Sequence, residues 1–286
     1  MVGYKAGMSH FTMMDDSEAP SKNAEVSKPC TFLEIPETTL YGARFYRRNG
    51  RSGYREAAAE SYSSDYIGAA KEKPKRHQSL ESLKARLPEF DDITALLVSN
   101  VKGTPTGQHH RVRFESSLGG ASVEEKYSFV AGAMGKRIRP AEVFKNGEFV
   151  DVASVSKGKG WQGTIKRFGT ARLSHKATQK VRHVGSLGPF TPGKVLYTVP
   201  QAGQMGFHYR NEYNKRIVRI GSGEDAKGIN PRAGFQNYGL IANDFLMLSG
   251  SIPGPAKRMV RVRKSVTGRN KSGIKEPKLL YMAVNR

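Results

Sequence analysis

Hydrophobic and polar positions alternate in short runs over 11–15, 30–35, 149–156, 216–221, 243–250 and 256–263. Gly, Pro, Asn and Asp punctuate the gaps, which is the pattern of antiparallel strands in a barrel or sandwich. In "MVRVRK", Val260 and Val262 alternate with Arg261 and Arg263, so one face enters a core and the other stays charged. The character changes between Arg44 and Gly135. Leu80, Leu83 and Leu87 recur at helical spacing before Pro88, which cannot continue a helix. Ser122 with Glu125 forms a capping box that opens a second helix through Tyr127, Phe129 and Val130, stopping at Gly132 or Gly135. The spacing therefore predicts a mainly β fold with an α+β insertion at 44–135.

The stretch 157–206 fits neither period. "RFGTARLSHKATQKVRHVGSLGPFTPGK" holds two prolines, four glycines after Gly169 is counted, and no sustained apolar repeat. It cannot build its own core and needs a partner to order it. As a loop that leaves the strands and returns, each arm has about 25 residues, which at roughly 3.3 Å per residue reaches up to about 80 Å. Cys30 sits inside the apolar run Pro29 to Ile35 and reads as a small core residue; a lone cysteine makes no internal disulfide, which fits a reducing cytosol.

Charge narrows the function. Lys and Arg total 47 against 25 Asp and Glu in 286 residues, a formal net charge of +22. Solubility does not ask for so much, and a polyanion does. The apolar runs are too short to span a bilayer, and the N-terminus lacks a basic region leading into an apolar stretch, so neither a membrane nor secretion is expected. Positions 152–211 contain no Asp or Glu in sixty residues, but ten basic side chains: Lys157, Lys159, Lys166, Arg167, Arg172, Lys176, Lys180, Arg182, Lys194 and Arg210. Such an imbalance favours nucleic acid.

"SVSKGKGWQGTIKRFG" contains G-x-G-x-x-G at Gly158, Gly160 and Gly163. A dinucleotide site also needs a long following helix and an acid about twenty residues on. Here Gly169 interrupts the helix after five residues and the next carboxylate is Glu212. The Walker pattern fails as well, with Thr164 and Ile165 where lysine and hydroxyl belong. Glycines flanked by Lys157 and Lys159 instead let backbone approach a phosphate ribbon. His175, His183 and His208 lack metal-ligand rhythm and read as phosphate or base contacts. Trp161, Phe168 and Phe190 are candidates for base stacking, with burial against the strands as the alternative, more so for Trp161 than for Phe190. The adjacent acids Asp15–Asp16 and Asp91–Asp92 read as turn or helix-start residues rather than a catalytic pair. The C-terminal tail 264–286 is basic; 257–278 carries nine basic residues against Glu276 alone, and the last part of that stretch is expected to be irregular in isolation. A nucleic-acid-acting enzyme and a free RNA chaperone stand as the alternatives to an RNA-bound structural protein.

The motifs "GYKAGMSH", "FVDVASVSKGKGWQGTIKRFG", "HVGSLGPFTPGKVLYTVPQAGQMGFHYRNEYNKRI" and "NDFLMLSGSIPGPAKRMVRVR" occur in this order. Together they resemble the L-three family of ribosomal large-subunit proteins in its archaeal form. The resemblance implies a translation-protein-type closed antiparallel β-barrel, formed by 1–43, 136–156 and 207–263, with a long inward loop extension at 157–206. It implies a non-enzymatic constituent of the cytoplasmic ribosome that binds large-subunit rRNA and neighbouring large-subunit proteins, supports assembly and extends its loop toward the peptidyl-transferase centre. No small-molecule substrate or cofactor is expected; the only metal it allows for is structural magnesium bound by the rRNA. The expected RNA-binding set joins the ten cations above to Trp161, His175, His183, Phe190, Gln204 and His208, with Lys215, Arg216, Lys257 and Arg258 from the flanking motifs. Relatives often carry Trp where this chain has Phe190 and Phe168, which loses the indole donor. They also normally carry a basic arm ahead of "GYKAGM"; here either the arm is absent or the start lies elsewhere.

Overall fold

The computed structural model describes residues 1–48, 50, 53–69, 76–178, 180–267 and 273–283. Seven strands form the larger sheet: β1 (Val2–Met14), β2 (Glu25–Ile35), β8 (Phe149–Val155), β11 (Tyr209–Gly221), β12 (Asp244–Ser249), β13 (Met259–Lys264) and β14 (Leu279–Met282). Their order is β13-β8-β11-β12-β2-β1-β14, with an additional pairing of β13 to β1. Every one of these pairings is antiparallel. The six alternating runs read from the sequence fall in β1, β2, β8, β11, β12 and β13. In β13, Val260 and Val262 are buried and Arg261 and Arg263 exposed. Their apolar faces meet in two clusters, one around Phe11, Phe32 and Phe245, the other around Leu33, Val152 and Leu248.

Buried carboxylates tie this core to its turns. Glu34, fully buried on β2, accepts from the Ala242 and Asn243 amides (both 2.9 Å), from Asn243 Nδ2 (2.8 Å) and from the Tyr238 hydroxyl. Burial, then the Glu34 charge, pushes the Tyr238 hydroxyl far above the ordinary tyrosine range. Asp151 on β8 accepts the Asn214 and Val266 amides at 3.1 and 3.2 Å. Cys30 is fully buried in the first cluster, and burial pushes its thiol up to about 11. It therefore stays protonated near neutral pH and shielded. A maleimide reagent is expected to leave Cys30 untouched in the native protein and to modify it fully in denaturant; rapid native labelling would contradict this packing.

The second sheet is built from β3 (Thr38–Arg48), β4 (Arg55–Tyr62), β5 (Asp92–Ser99) and β6 (Val112–Ser117) in the order β4-β3-β5-β6, with β7 (Arg137–Ile138) on β3. Its first strand begins at Thr38, ahead of the Arg44 boundary read from the sequence. Helix α1 (Ser64–Ala69) follows β4, and α2 (Leu80–Ala85) and α3 (Val123–Ala133) add Leu83 and Val130 to the core of Phe45, Phe90 and Ile93. Ser122 caps α3 by accepting from the Glu125 amide (3.2 Å), while Glu125 Oε2 reaches back to the Ala121 amide (2.9 Å). The helix ends at Ala133, and Gly135 follows at φ +77°. The short α4 (Pro140–Val143) leads back to β8.

In the tail, 273–278 holds no regular element, as expected, and β14 beyond it pairs with β1, Phe11 opposite Met282. Residues 268–272 and 284–286 lie outside the described residues. Of the adjacent acids, Asp15 takes the turn role read from the sequence, accepting from the Ser17 amide and Ser21 hydroxyl, and Asp91 accepts from the Arg48 amide. Asp92 pairs with Arg55 and Lys126. Among the described residues no helix is long and apolar enough to cross a membrane.

Candidate RNA-binding loop

The loop leaves β8 at Val155 and re-enters at Tyr209, the first residue of β11. Its root is a narrow ladder. The Ser156 amide donates to His208 O (2.9 Å), Lys159 N to Met205 O (2.9 Å), Met205 N to Gly160 O (2.9 Å) and Phe207 N to Lys157 O (3.3 Å). Two-residue strands continue it: β9 (Trp161–Gln162) pairs with β10 (Gly203–Gln204). At Gly206, φ +75°, the arms run close enough that a Cβ would lie 2.0 Å from Lys157 O. One helical turn follows, α5 (Thr164–Phe168), closed by Gly169 in the left-handed region at φ +71°. Arg167 crosses to the other arm, donating to Gln201 O at 2.9 Å, with its guanidinium 4.9 Å from the Phe168 ring centre.

The G-x-G-x-x-G glycines have local roles. Gly160 takes φ +65°, a turn that favours glycine, and Gly163 caps α5 in extended geometry. A five-residue helix gives no dinucleotide platform, in line with the rejection of that motif.

From Thr170 to Pro200 the described residues hold no regular element, and nearly all face outward. Phe190 and Tyr197 are each 98% exposed and Trp161 76%. Trp161 thus does not bury against the strands. Lys157, Lys159, Lys166, Arg167, Arg172, Lys176, Lys180, Arg182, Lys194 and Arg210 are all exposed. None forms an ion pair; every ion pair among the described residues lies outside 152–211. His175, His183 and Gln204 are exposed as well, and His208 is half-buried at the root. Lys257 is exposed, and the Arg258 guanidinium stands 5.5 Å from the exposed Phe207 ring, beside the root.

Lys215 and Arg216 do not join this set. Lys215 pairs with Glu212 at 2.7 Å. Arg216 grips Asp16 with both terminal nitrogens and donates to Lys275 O at 2.8 Å. The Arg216 hydrogen bond holds the Asp16 carboxyl below its usual range against the opposing effect of its burial. Both are engaged with acids or carbonyls of the protein itself. Tyr197 is an exposed aromatic that residue spacing does not single out; its signal is membership of the acid-free window.

The geometry is that of a pinned root carrying an extended, uncompensated cationic ribbon with exposed rings. A profile of the ribosomal protein L3 family matches residues 1–284. The large ribosomal subunit protein uL3 of Methanothermobacter thermautotrophicus is 38% identical over 99% of this chain and 86% of its own length. Those of Methanosphaera stadtmanae and Methanopyrus kandleri are each 37% identical over 99% of this chain, covering 86% and 80% of their own lengths. The chain belongs to the ribosomal protein L3 family.

Proposed function

We propose that the protein is a structural constituent of the large ribosomal subunit whose strand ring sits on rRNA while 157–206 runs inward as its RNA-penetrating extension. The ring is a closed barrel of the translation-protein type: β13 pairing with both β8 and β1 supports closure. The loop aims at the peptidyl-transferase centre, and the protein works in the cytoplasmic ribosome beside neighbouring large-subunit proteins. It is not an enzyme, as befits a family of ribosomal proteins.

The observation that carries this reading is nine exposed cations on one loop and a tenth, Arg210, at the start of β11, none of them paired with an acid. Internal pairing with acids offsets such repulsion in ordinary domains; here an external polyanion does. Binding to large-subunit rRNA transcripts, measured across salt, is expected to give a log–log slope of about −5 for even six neutralised phosphates. A slope near zero would overturn the reading.

Phe190 has nothing to pack against in the protein alone. Phe190→Ala is expected to leave the melting temperature of the free chain unchanged and to weaken rRNA binding by about 1–3 kcal/mol, the usual worth of one base stacked on a ring. Equal melting loss with unaltered affinity would place the ring in the protein's own packing.

A further inference from the structure

One lysine of the strand ring is hidden where the loop cations are exposed. Lys5 on β1 is 8% exposed, and its ammonium donates to Ile252 O at 2.7 Å and Gly254 O at 3.2 Å. An ammonium has three protons to give. No other hydrogen-bond acceptor is found for it among the described residues, and no carboxylate lies within ion-pairing distance. The acid it feels, Glu212, is already held by Lys215. A buried charge without a counter-charge is costly enough that native sites pair it.

Lys157, the first residue of the loop, makes the imbalance worse. Burial first and then the Lys157 charge hold Lys5 below the ordinary lysine range. Both lysines line one cavity of about 530 Å³ at the loop root, within the size range of sites that hold small ligands. Gly7, Gly234 and Gly254 contribute to its wall. Their bare Cα atoms are taken up by packing, since a Cβ would meet the Phe235 ring at Gly7, the Gly239 backbone at Gly234 and the Arg258 side chain at Gly254. No acid lines this cavity, so its two lysines have no protein anion in its wall to balance them.

We propose that this cavity is a phosphate site, in which Lys5 and Lys157 together hold one phosphodiester of the rRNA at the point where the loop leaves the strands. The assignment rests on the rRNA-binding reading above. A phosphate seated there joins β1 to the first residue of the loop, so RNA itself completes the root that the Lys159–Met205 ladder begins.

The test compares wild-type chain with Lys5→Gln, Lys157→Gln and their double variant, using Lys176→Gln as a reference from the distal loop. Binding of a large-subunit rRNA transcript is followed across salt. Each single variant should reduce the steepness of the slope by about 1. The Lys5/Lys157 double should lose little more than either single, because both serve one phosphate, whereas Lys157 and Lys176 losses should add. Additive losses for Lys5 and Lys157, or a Lys5→Gln protein that binds as wild type, overturn the site. A wild-type slope near zero would instead sink the rRNA reading itself.

Should Lys5→Gln fail to fold, the Lys5 ¹³Cε resonance of wild-type protein reads the same contact. The dinucleotide UpU is expected to shift it at lower concentration than inorganic phosphate does. The reverse order assigns the cavity to free phosphate and overturns the phosphodiester, and no shift with either probe overturns the site.

Discussion

Changing Lys166, Arg172, Lys176 and Lys180 together to glutamine is expected to weaken binding of large-subunit rRNA about a thousandfold without lowering the melting temperature. All four are exposed and unpaired, so none contributes a folded-state interaction that glutamine would remove. Exposed substitutions of this kind usually move stability by less than about 0.5 kcal/mol, and here loss of like-charge repulsion works in the stabilising direction. If each cation neutralises one phosphate at about 1 kcal/mol net, four removals cost about 4 kcal/mol, close to three powers of ten in affinity. The salt slope should become less steep by about 4. Arg216→Gln supplies the contrast. It strips Asp16 of its bidentate partner and Lys275 O of a donor, so it should lower melting while leaving the slope unchanged. Filter binding across salt and thermal melting of both variants check the pair; a quadruple variant that binds like wild type would show that the loop cations do not face phosphate.

That contrast also marks what the sequence carries. A window without acids is a local property, so freedom from ion pairs at 152–211 is legible residue by residue. Arg216 looks the same as Arg210 in sequence, but its partner Asp16 lies 200 positions away and is brought beside it only by the folded sheet. Lys5 is hidden for the same reason, since Ile252 and Gly254 reach it through a contact about 250 residues long in sequence. Strands of the larger sheet are legible because one face of each is polar, giving period-two alternation. In β5 the positions Ile93 to Leu97 are buried on both faces, so the run has no alternation to read. The helices α2 and α3 announce themselves through the Leu80, Leu83 and Leu87 spacing and the Ser122 cap, both local features. β14 is an edge strand of four residues whose partner, β1, lies at the other end of the chain, and no short-range pattern encodes that pairing.

Gly206→Ala is expected to open the loop root by about 4 kcal/mol while the strand ring stays folded. At φ +75° an L residue carries roughly 1–2 kcal/mol of backbone strain. The larger part is steric. A Cβ 2.0 Å from Lys157 O and 3.2 Å from Gly158 Cα meets backbone on the opposite arm, which cannot rotate away as a side chain would. The arms must separate, and the bonds Phe207 N to Lys157 O, Lys159 N to Met205 O and Met205 N to Gly160 O go with them. At about 1 kcal/mol each they bring the total to roughly 4. Amide exchange at Lys159, Met205 and Phe207 should then speed up by about three powers of ten. Exchange at Val152, paired with Glu212 and Val262 inside the ring, should keep its wild-type rate. Gly163→Ala is the matched control: its Cβ meets nothing within 4 Å and its φ is −72°, so it should change neither set. On the proposed reading, in which the two arms enter the RNA from this root, Gly206→Ala should also lower rRNA affinity, with the salt slope kept, since every cation is still present. Unaltered exchange at the three root amides would show that the arms are not held together through Gly206.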